Sequence, residues 1–401
     1  MMTPAIVVIA YNRPDSLERI LTSLNKASYP EGSRPTLVIS LDKCDVDDTV
    51  QVARKFEWKF GEKRVVERPE RMGLKNHVLS CGDFTKEYGS IIVLEDDLVV
   101  SPYFYTYAKA ALEFTEDADR IGGISLYNHL FNVHAREAFC AIDDGYDNWY
   151  FQFASSWGQA YTKNQWAAFM VWYGQKTAKG TYSSEMQDNP FVPANVSGWS
   201  DKSWLKYYIT YLVETDKYFL YPKVSYTTNF GDVGSHMDKP DYDLQVPLCG
   251  YPGKTSYTFS SLDESRSVYD SYFENDRISQ LMRFGEGNMD LLCDLYGIKP
   301  IEEMQEKCKR RYILSSQALP YKVLRLYGRQ MRPHDANVIY DVAGNDFYQY
   351  DTCESAAPPT KDEAKSRAAK WFYQYRGISA AQMKDMLKYR VKEAIEGKLK
   401  K

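Results

Sequence analysis

Residues 90–97 read Ser-Ile-Ile-Val-Leu-Glu-Asp-Asp. A short unbroken apolar run, Ser90 to Leu94, ends directly in three carboxylates, the pattern of a strand buried on both faces that emerges into a crevice. Fixed negative charge at that point is costly unless it is solvated or paired, and a divalent cation would resolve the cost. Strand alternation would send Glu95 and Asp97 one way and Asp96 the other. Mg²⁺ or Mn²⁺ bound there would take one or two carboxylates plus substrate phosphate oxygens, which makes Asp97 the candidate metal ligand. The competing reading is an acidic cap on a helix spanning Ser101 to Phe114.

Working outward, Ala5 to Ala10 (AIVVIA) is a second buried run, and Pro14, Leu17, Ile20, Leu21 and Leu24 follow at helical spacing. Thr36 to Leu41 and Arg64 to Glu67 read as further strands, with a helix over Asp47 to Trp58 between them. Strands alternating with helices predict an α/β domain with a mainly parallel sheet flanked by helices. Ligands of such sheets sit beyond the carboxyl ends of the strands, so the ends near Tyr11 to Arg13, Asp42 to Asp45 and Glu95 to Asp97 should converge. Arg13 could meet phosphate oxygens there, or be a solvated arginine before a helix. Asp42 could accept from a ligand N–H, or simply form a turn. Arg68, Arg71 and Lys75 make a basic cluster that reads first as a solvated face.

Farther along, helices are expected over Lys163 to Tyr173 and Asp201 to Glu214, and a strand from Phe219 to Thr227. Trp149, Trp157 and Trp199 suit core packing better than sugar stacking, and His129 and His134 read as structural or surface residues. The glycine-spaced stretch Gly231 to His236 can bend and close over a ligand, with His236 as a candidate donor contact. Residues 1–260 are read as one domain, with a first half to about 130 and a second half beyond. Residues 261–355 are read as a mainly helical extension, and 361–401 as a basic amphipathic tail.

The quoted segments resemble the GT-A glycosyltransferases, and in particular the N-acetylglucosaminyltransferase I family. The resemblance lies in Ala10-Tyr11-Asn12-Arg13, Ser40-Leu41-Asp42, Glu95-Asp96-Asp97-Leu98 with Pro102 and Phe104, Gly198-Trp199-Ser200-Asp201, and Asn229-Phe230-Gly231 through Gly234-Ser235-His236. Order agrees over about residues 5 to 240. The resemblance implies an inverting transfer from UDP-N-acetylglucosamine or a related donor with Mn²⁺. It makes the two halves of residues 1–260 the nucleotide-sugar and acceptor halves of a catalytic domain. It assigns Arg13 to the diphosphate, Asp42 to uracil, Glu95 and Asp96 to sugar and ribose, Asp97 to the metal, and Asp201 to the base that deprotonates the acceptor hydroxyl. This chain has Trp199-Ser200-Asp201-Lys202 where that family has two acids and a second tryptophan. Asp201 could equally be a helix-capping acid.

Composition narrows the classes. The 50 basic and 54 acidic side chains give a net charge of -4, which argues against bulk attraction to nucleic acid. Aromatic residues at 15%, with 33 tyrosines, fit a folded chain and suit sugar ligands. Seven cysteines without CxxC spacing predict a reducing compartment. The apolar run after Pro4 is too short for a signal peptide or a span. The unpaired cysteines and the absence of an N-terminal span predict a cytoplasmic protein, able to sit peripherally at the inner face of the membrane; the resemblance implies an enzyme of surface-polysaccharide or glycan synthesis, with a UDP-sugar donor and a glycan or glycolipid acceptor as partners. The tail, twelve basic against five acidic residues, can bind an anionic membrane or pack on the catalytic domain. Two other classes stay open: a nucleotidyltransferase, disfavoured because Tyr11 to Pro14 lacks glycine, and a non-catalytic glycan-binding scaffold.

Overall fold

A computed structural model describes residues 2–45, 47–177, 182–232, 242–250, 254–282, 289–375 and 377–399. The strands are β1 Ala5–Ala10, β2 Leu37–Leu41, β3 Lys63–Glu67, β4 Ser90–Glu95, β5 Leu98–Val100, β6 Ile121–Ser125, β7 Phe131–Asn132, β8 Glu137–Ala138, β9 Asn148–Phe151, β10 Gln159–Thr162, β11 Tyr218–Pro222, β12 Thr227–Asn229, β13 Val268–Tyr269, β14 Leu291–Asp294, β15 Tyr312–Ser315, β16 Tyr321–Tyr327 and β17 Phe347–Ser355. The helices are α1 Pro14–Lys26, α2 Asp48–Lys55, α3 Gly73–Gly82, α4 Thr85–Tyr88, α5 Phe104–Phe114, α6 Lys163–Lys176, α7 Ser184–Gln187, α8 Ala194–Ser197, α9 Trp204–Glu214, α10 Ile278–Leu281, α11 Ile301–Cys308, α12 His334–Ile339, α13 Glu363–Tyr375 and α14 Ala380–Leu399.

A nine-stranded sheet in the order β13-β9-β11-β6-β10-β4-β1-β2-β3 forms the centre. Its N-terminal part, β4-β1-β2-β3, is wholly parallel. Every residue of β1 and β2 is buried, as their unbroken apolar runs require when helices cover both faces. Ile6, Val8, Leu37, Ile39, Ile92 and Leu94 face one layer with α1 and α5, while Val7, Val38, Ile91 and Val93 face the aromatic layer of α3, α6 and α9. The fold class is therefore α/β with a mainly parallel central sheet flanked by helices and a C-terminal helical region, as the alternation predicts.

Three features depart from or go beyond the local readings. β10 inserts antiparallel between β4 and β6, a crossing that no local pattern announces. The segment Leu98–Val100 is a strand paired with β12, so the acidic triplet leads into a second sheet rather than capping a helix; α5 starts later, at Phe104, without acids in its first turn. Residues 261–355 are not mainly helical: β14-β15-β17-β16 build a four-stranded sheet. The Tyr-Lys-Val-Leu-Arg-Leu-Tyr run of β16 mixes partial alternation with lysine and arginine, because this strand lies at an exposed edge. Within the tail, α13 and α14 are helices as expected.

Candidate functional site

The carboxyl ends of β1, β2 and β4 lie side by side, Ala10 beside Leu41 and Ile9 beside Glu95. They bring Arg13, Asp42 and the acidic triplet to one rim. Pro14 opens α1, which fixes Arg13 between strand and helix. Its guanidinium reaches Asp96 in a close ion pair and lies 3.3 Å from Asp97 Oδ2. Asp96 and Asp97 thus converge on one cation. This corrects the expected alternation, and the reason is local: β4 ends at Glu95, and a turn at Asp96 and Asp97 separates it from β5.

The charge is incompletely balanced. Burial first, then Asp97 and Asp96, push the Glu95 carboxyl well above the usual carboxylate range against the pull of Arg13. Burial raises Asp96 to about 6, again opposed by Arg13. Asp97 Oδ1 is buried and has no hydrogen-bond partner among the described residues. An unmatched carboxylate oxygen beside two further acids is a position that a divalent cation would satisfy. Among the described residues no three His, Cys, Asp or Glu side chains form a closed cage, so any such cation would take its remaining ligands from elsewhere. From across the turn, Phe230 N–H donates to the Asp97 carbonyl at 2.8 Å, and the β5–β12 ladder pairs Asn229 with Leu98.

Asp42 is 5% exposed and heavily engaged. Its Oδ1 accepts from the amides of Lys43 (2.9 Å) and Met72 (2.8 Å), and Oδ2 from the Gly73 amide (3.0 Å). Arg71 Nε adds a contact at 3.1 Å. Gly73 has φ +72°, a left-handed conformation that favours glycine and turns its N–H toward Asp42 as α3 begins. Arg71 also lies over the Tyr11 ring, 3.3 Å from its centroid. A ligand N–H seeking Asp42 would compete with Arg71, whose side chain is 46% exposed. Behind Asp42, Ser40 Oγ meets His77 Nε2 at 2.8 Å, and burial lowers His77 to about 4.

The anticipated basic cluster divides. Arg71 goes to Asp42, Arg68 turns to Cys81 Sγ at 3.8 Å, and Lys75 stands 4.9 Å from the Tyr207 ring. Burial lowers the Lys75 ammonium, with Asp201 opposing and Lys206 assisting. That electrostatic link puts Asp201 on the α3 side of the rim. Asp201 precedes α9 rather than opening it, because Ser203 is the N-cap and accepts from the Lys206 amide. Its carboxylate is 53% exposed and pairs with Lys206 Nζ at 3.0 Å. The Lys206 ammonium is itself buried, donates to the Ser197 (3.3 Å) and Trp199 (2.7 Å) carbonyls, and lies over the Tyr182 ring.

Sequence reasoning missed Ser16, Arg19 and Asp232. Ser16 Oγ donates to Asp232 Oδ2 at 2.8 Å and Arg19 makes a close ion pair with the same oxygen. Arg19 also covers the Phe230 ring at 3.8 Å. These contacts fasten the start of the glycine-spaced segment to α1. Asp232 inside that segment and an arginine on the first helix were the available signals. His236 lies outside the described residues. His129 is buried in an aromatic cage that includes Phe151, Phe153 and Phe273, and His134 packs on Phe153 and Phe273; both are structural. Trp149 is core, its Nε1 donating to the Pro222 carbonyl at 3.0 Å.

Residues 5–136 match the profile of glycosyl transferase family 2. No curated protein matches the chain. Among solved structures, the mannosyltransferase PcManGT of Pyrobaculum calidifontis, in complex with GDP-Man and Mn²⁺, is 15% identical over 43% of this chain and 48% of its own, with a TM-score of 0.31. S. aureus TarS 1-349 in complex with UDP-GlcNAc is 15% identical over 58% of this chain and 60% of its own, with a TM-score of 0.34. Against the TarS structure not cut at 349 the identity is 13%, covering 56% of this chain and 36% of that one, at a TM-score of 0.34. The chain thus spans between about a third and three fifths of these proteins. The match covers about the first third of the chain; it includes Arg13, Asp42 and the acidic triplet but neither Asp201 nor residues 229–232.

Proposed function

We propose that this chain transfers a sugar, N-acetylglucosamine or a relative, from a UDP donor to a carbohydrate hydroxyl, with inversion at the anomeric carbon. The observation that carries the reading is the convergence of three strand ends on a carboxylate cluster whose Asp97 Oδ1 has no hydrogen-bond partner among the described residues. Asp97 would hold Mn²⁺ or Mg²⁺, which when bound offsets diphosphate charge as UDP leaves. Arg13 offers planar N–H donors to the phosphate oxygens. Asp42 and its loop form the uracil side, with the Arg71–Tyr11 pair as its wall, while Glu95 and Asp96 address sugar and ribose.

Asp201 takes the proton of the acceptor hydroxyl as that oxygen bonds to the anomeric carbon and the bond to the diphosphate breaks. It stands apart from the triplet and is exposed enough to receive an acceptor. His236 is assigned to the closing segment that excludes water, and the N-acetylglucosaminyltransferase I resemblance supports these roles through its motifs. Release of UDP across a panel of UDP-sugars, with Mn²⁺ and with chelator, tests the reading. Turnover with one or a few UDP-sugars, abolished by chelator, is expected. Chelator-insensitive turnover, or nucleotidyl transfer to sugar phosphates in place of UDP release, would overturn it.

A further inference from the structure

The tail joins the body firmly at its root. Lys370 of α13 pairs with buried Glu137 at 2.8 Å. Tyr373 is 3% exposed and packs edge-on against the His334 ring at 4.3 Å, and Gln374 Nε2 donates to the Arg136 carbonyl at 2.7 Å. Beyond this root, α14 is a different surface. Met383, Leu387, Val391 and Ile395 recur every fourth residue and so form one line along the helix. The last three are 67%, 59% and 56% exposed.

With Trp371 and Ala380 this line forms an open apolar groove of about 960 Å³. A contiguous apolar face of this kind marks an interaction site rather than the scattered apolar atoms of any surface. Lys384, Lys388 and Lys392 each follow a member of the line by one residue and border the same groove. Their long stems can lie along an apolar layer while the ammonium groups stay in water or among headgroups.

Charge is segregated along the chain. Residues 361–401 hold twelve basic and five acidic side chains, a net of +7, whereas residues 1–360 hold thirty-eight and forty-nine, a net of −11. An anionic sheet of headgroups therefore attracts the tail and repels the body. Two tails packed on each other would instead bring +7 against +7. The α14 helix is not apolar enough to cross a bilayer, but an apolar line bordered by lysines suits a helix lying in the plane of the interface.

We infer that α14, with the Trp371 edge of α13, is a peripheral membrane-binding element that lies in the headgroup layer of an anionic phospholipid bilayer. The full chain is sedimented with vesicles of phosphatidylcholine mixed with phosphatidylglycerol, and with vesicles of phosphatidylcholine alone. Binding to the mixed vesicles only is expected, weakening as salt rises. Leu387→Ser with Val391→Ser should lower the partition coefficient about tenfold or more, and Lys388→Glu with Lys392→Glu should lower it as well and flatten its salt dependence. Both pairs are exposed, so both variants should keep the parent Tm.

Absence of binding, equal binding to neutral vesicles, or unchanged vesicle binding by the folded serine variant would overturn the proposal. So would a concentration-dependent oligomer of the parent chain that the serine variant loses while vesicles bind neither. Vesicle binding is read without turnover, so its failure would leave the transferase reading intact.

Discussion

Two groups of carboxylates in this molecule face opposite fates. At the rim of the parallel sheet, Glu95, Asp96 and Asp97 share Arg13, and one oxygen of Asp97 has no hydrogen-bond partner among the described residues. Where the smaller sheet meets the larger one, Asp270, Glu274, Asp276 and Asp294 surround Lys299, which is 4% exposed. There the partners are numerous. Glu274 accepts from the Tyr296 amide at 2.7 Å, and Asp294 accepts from Ser315, Gln317 and the amides of Ile298 and Lys299. Burial pushes Lys299 down, but the acids around it, Asp270 first, carry its ammonium above the usual lysine range. The inner cluster is a finished structural joint, whereas the outer one keeps unspent charge in a crevice. An acidic cluster suggests chemistry when its hydrogen bonding is left incomplete.

Substitutions can break this contrast. Asp97→Asn should cut turnover by roughly 10² to 10⁴, since charge stabilisation of a leaving group is worth several kcal/mol and each ~1.4 kcal/mol is tenfold. Its Tm should hold or rise, because a like charge beside Glu95 and Asp96 is removed. Steady-state kinetics and a melting curve together check this, and an Asp97→Asn enzyme of full activity would take Asp97 out of the site.

Asp201→Asn should lower kcat by roughly 10² to 10⁴ with donor affinity little changed, the pattern of a lost base. Titration of UDP by calorimetry supplies the second half of that test. Collapse of donor binding would move Asp201 to the nucleotide side.

Lys299→Met should do the reverse of Asp97→Asn. Removing the buried ammonium at the centre of the inner cluster strands buried carboxylates and should cost about 3–5 kcal/mol of stability, read as a lower urea midpoint, with kcat of the remaining folded enzyme unaltered. A neutral outcome would mean that the inner acids are protonated and that the joint is held by hydrogen bonds alone.

The smallest effect concerns the tail root. Burial alone would raise Glu137, but the His334 ring, then Lys370 and Arg329, hold its carboxyl down at about 2. A depressed folded value contributes stability that is fully present above the unfolded value of about 4.3 and is lost as pH falls toward 2. Protease sensitivity of α13 should therefore rise as pH drops below about 4, and Glu137→Gln should reduce that dependence, leaving the part set by His334, whose ring is lowered by burial to about 4.

The outer cluster was legible in sequence because its chemistry is local: an apolar strand ends in acids within eight residues, and Pro14 fixes where Arg13 stands. The inner cluster was not, since Asp270, Glu274, Asp294 and Lys299 lie in short strands and turns whose pairing is set by distant partners. The same cause hid β10, β13 and the smaller sheet, where mixed polar and apolar residues follow an exposed edge rather than a clear period. It also hid Asp232, whose partners Ser16 and Arg19 come from more than two hundred positions earlier. Asp42 was legible as a turn-forming acid, but its service to Met72 and Gly73 depends on a left-handed glycine that no spacing foretells.

The place of β10 bears on how the chain comes to be folded during synthesis. β6 has no direct pairing to β4; the two are joined only through residues 159–162, and β5 waits for Thr227–Asn229. A nascent chain ending at 136 would hold a small parallel sheet with the edge of β4 open and β6 detached. Such an unpaired strand edge is sticky, and long-range pairings form slowly. Residues 5–136, the stretch that matches the family 2 profile, are therefore not a complete unit of folding, and a ribosome must deliver about ninety further residues before the acidic turn acquires its outer strand.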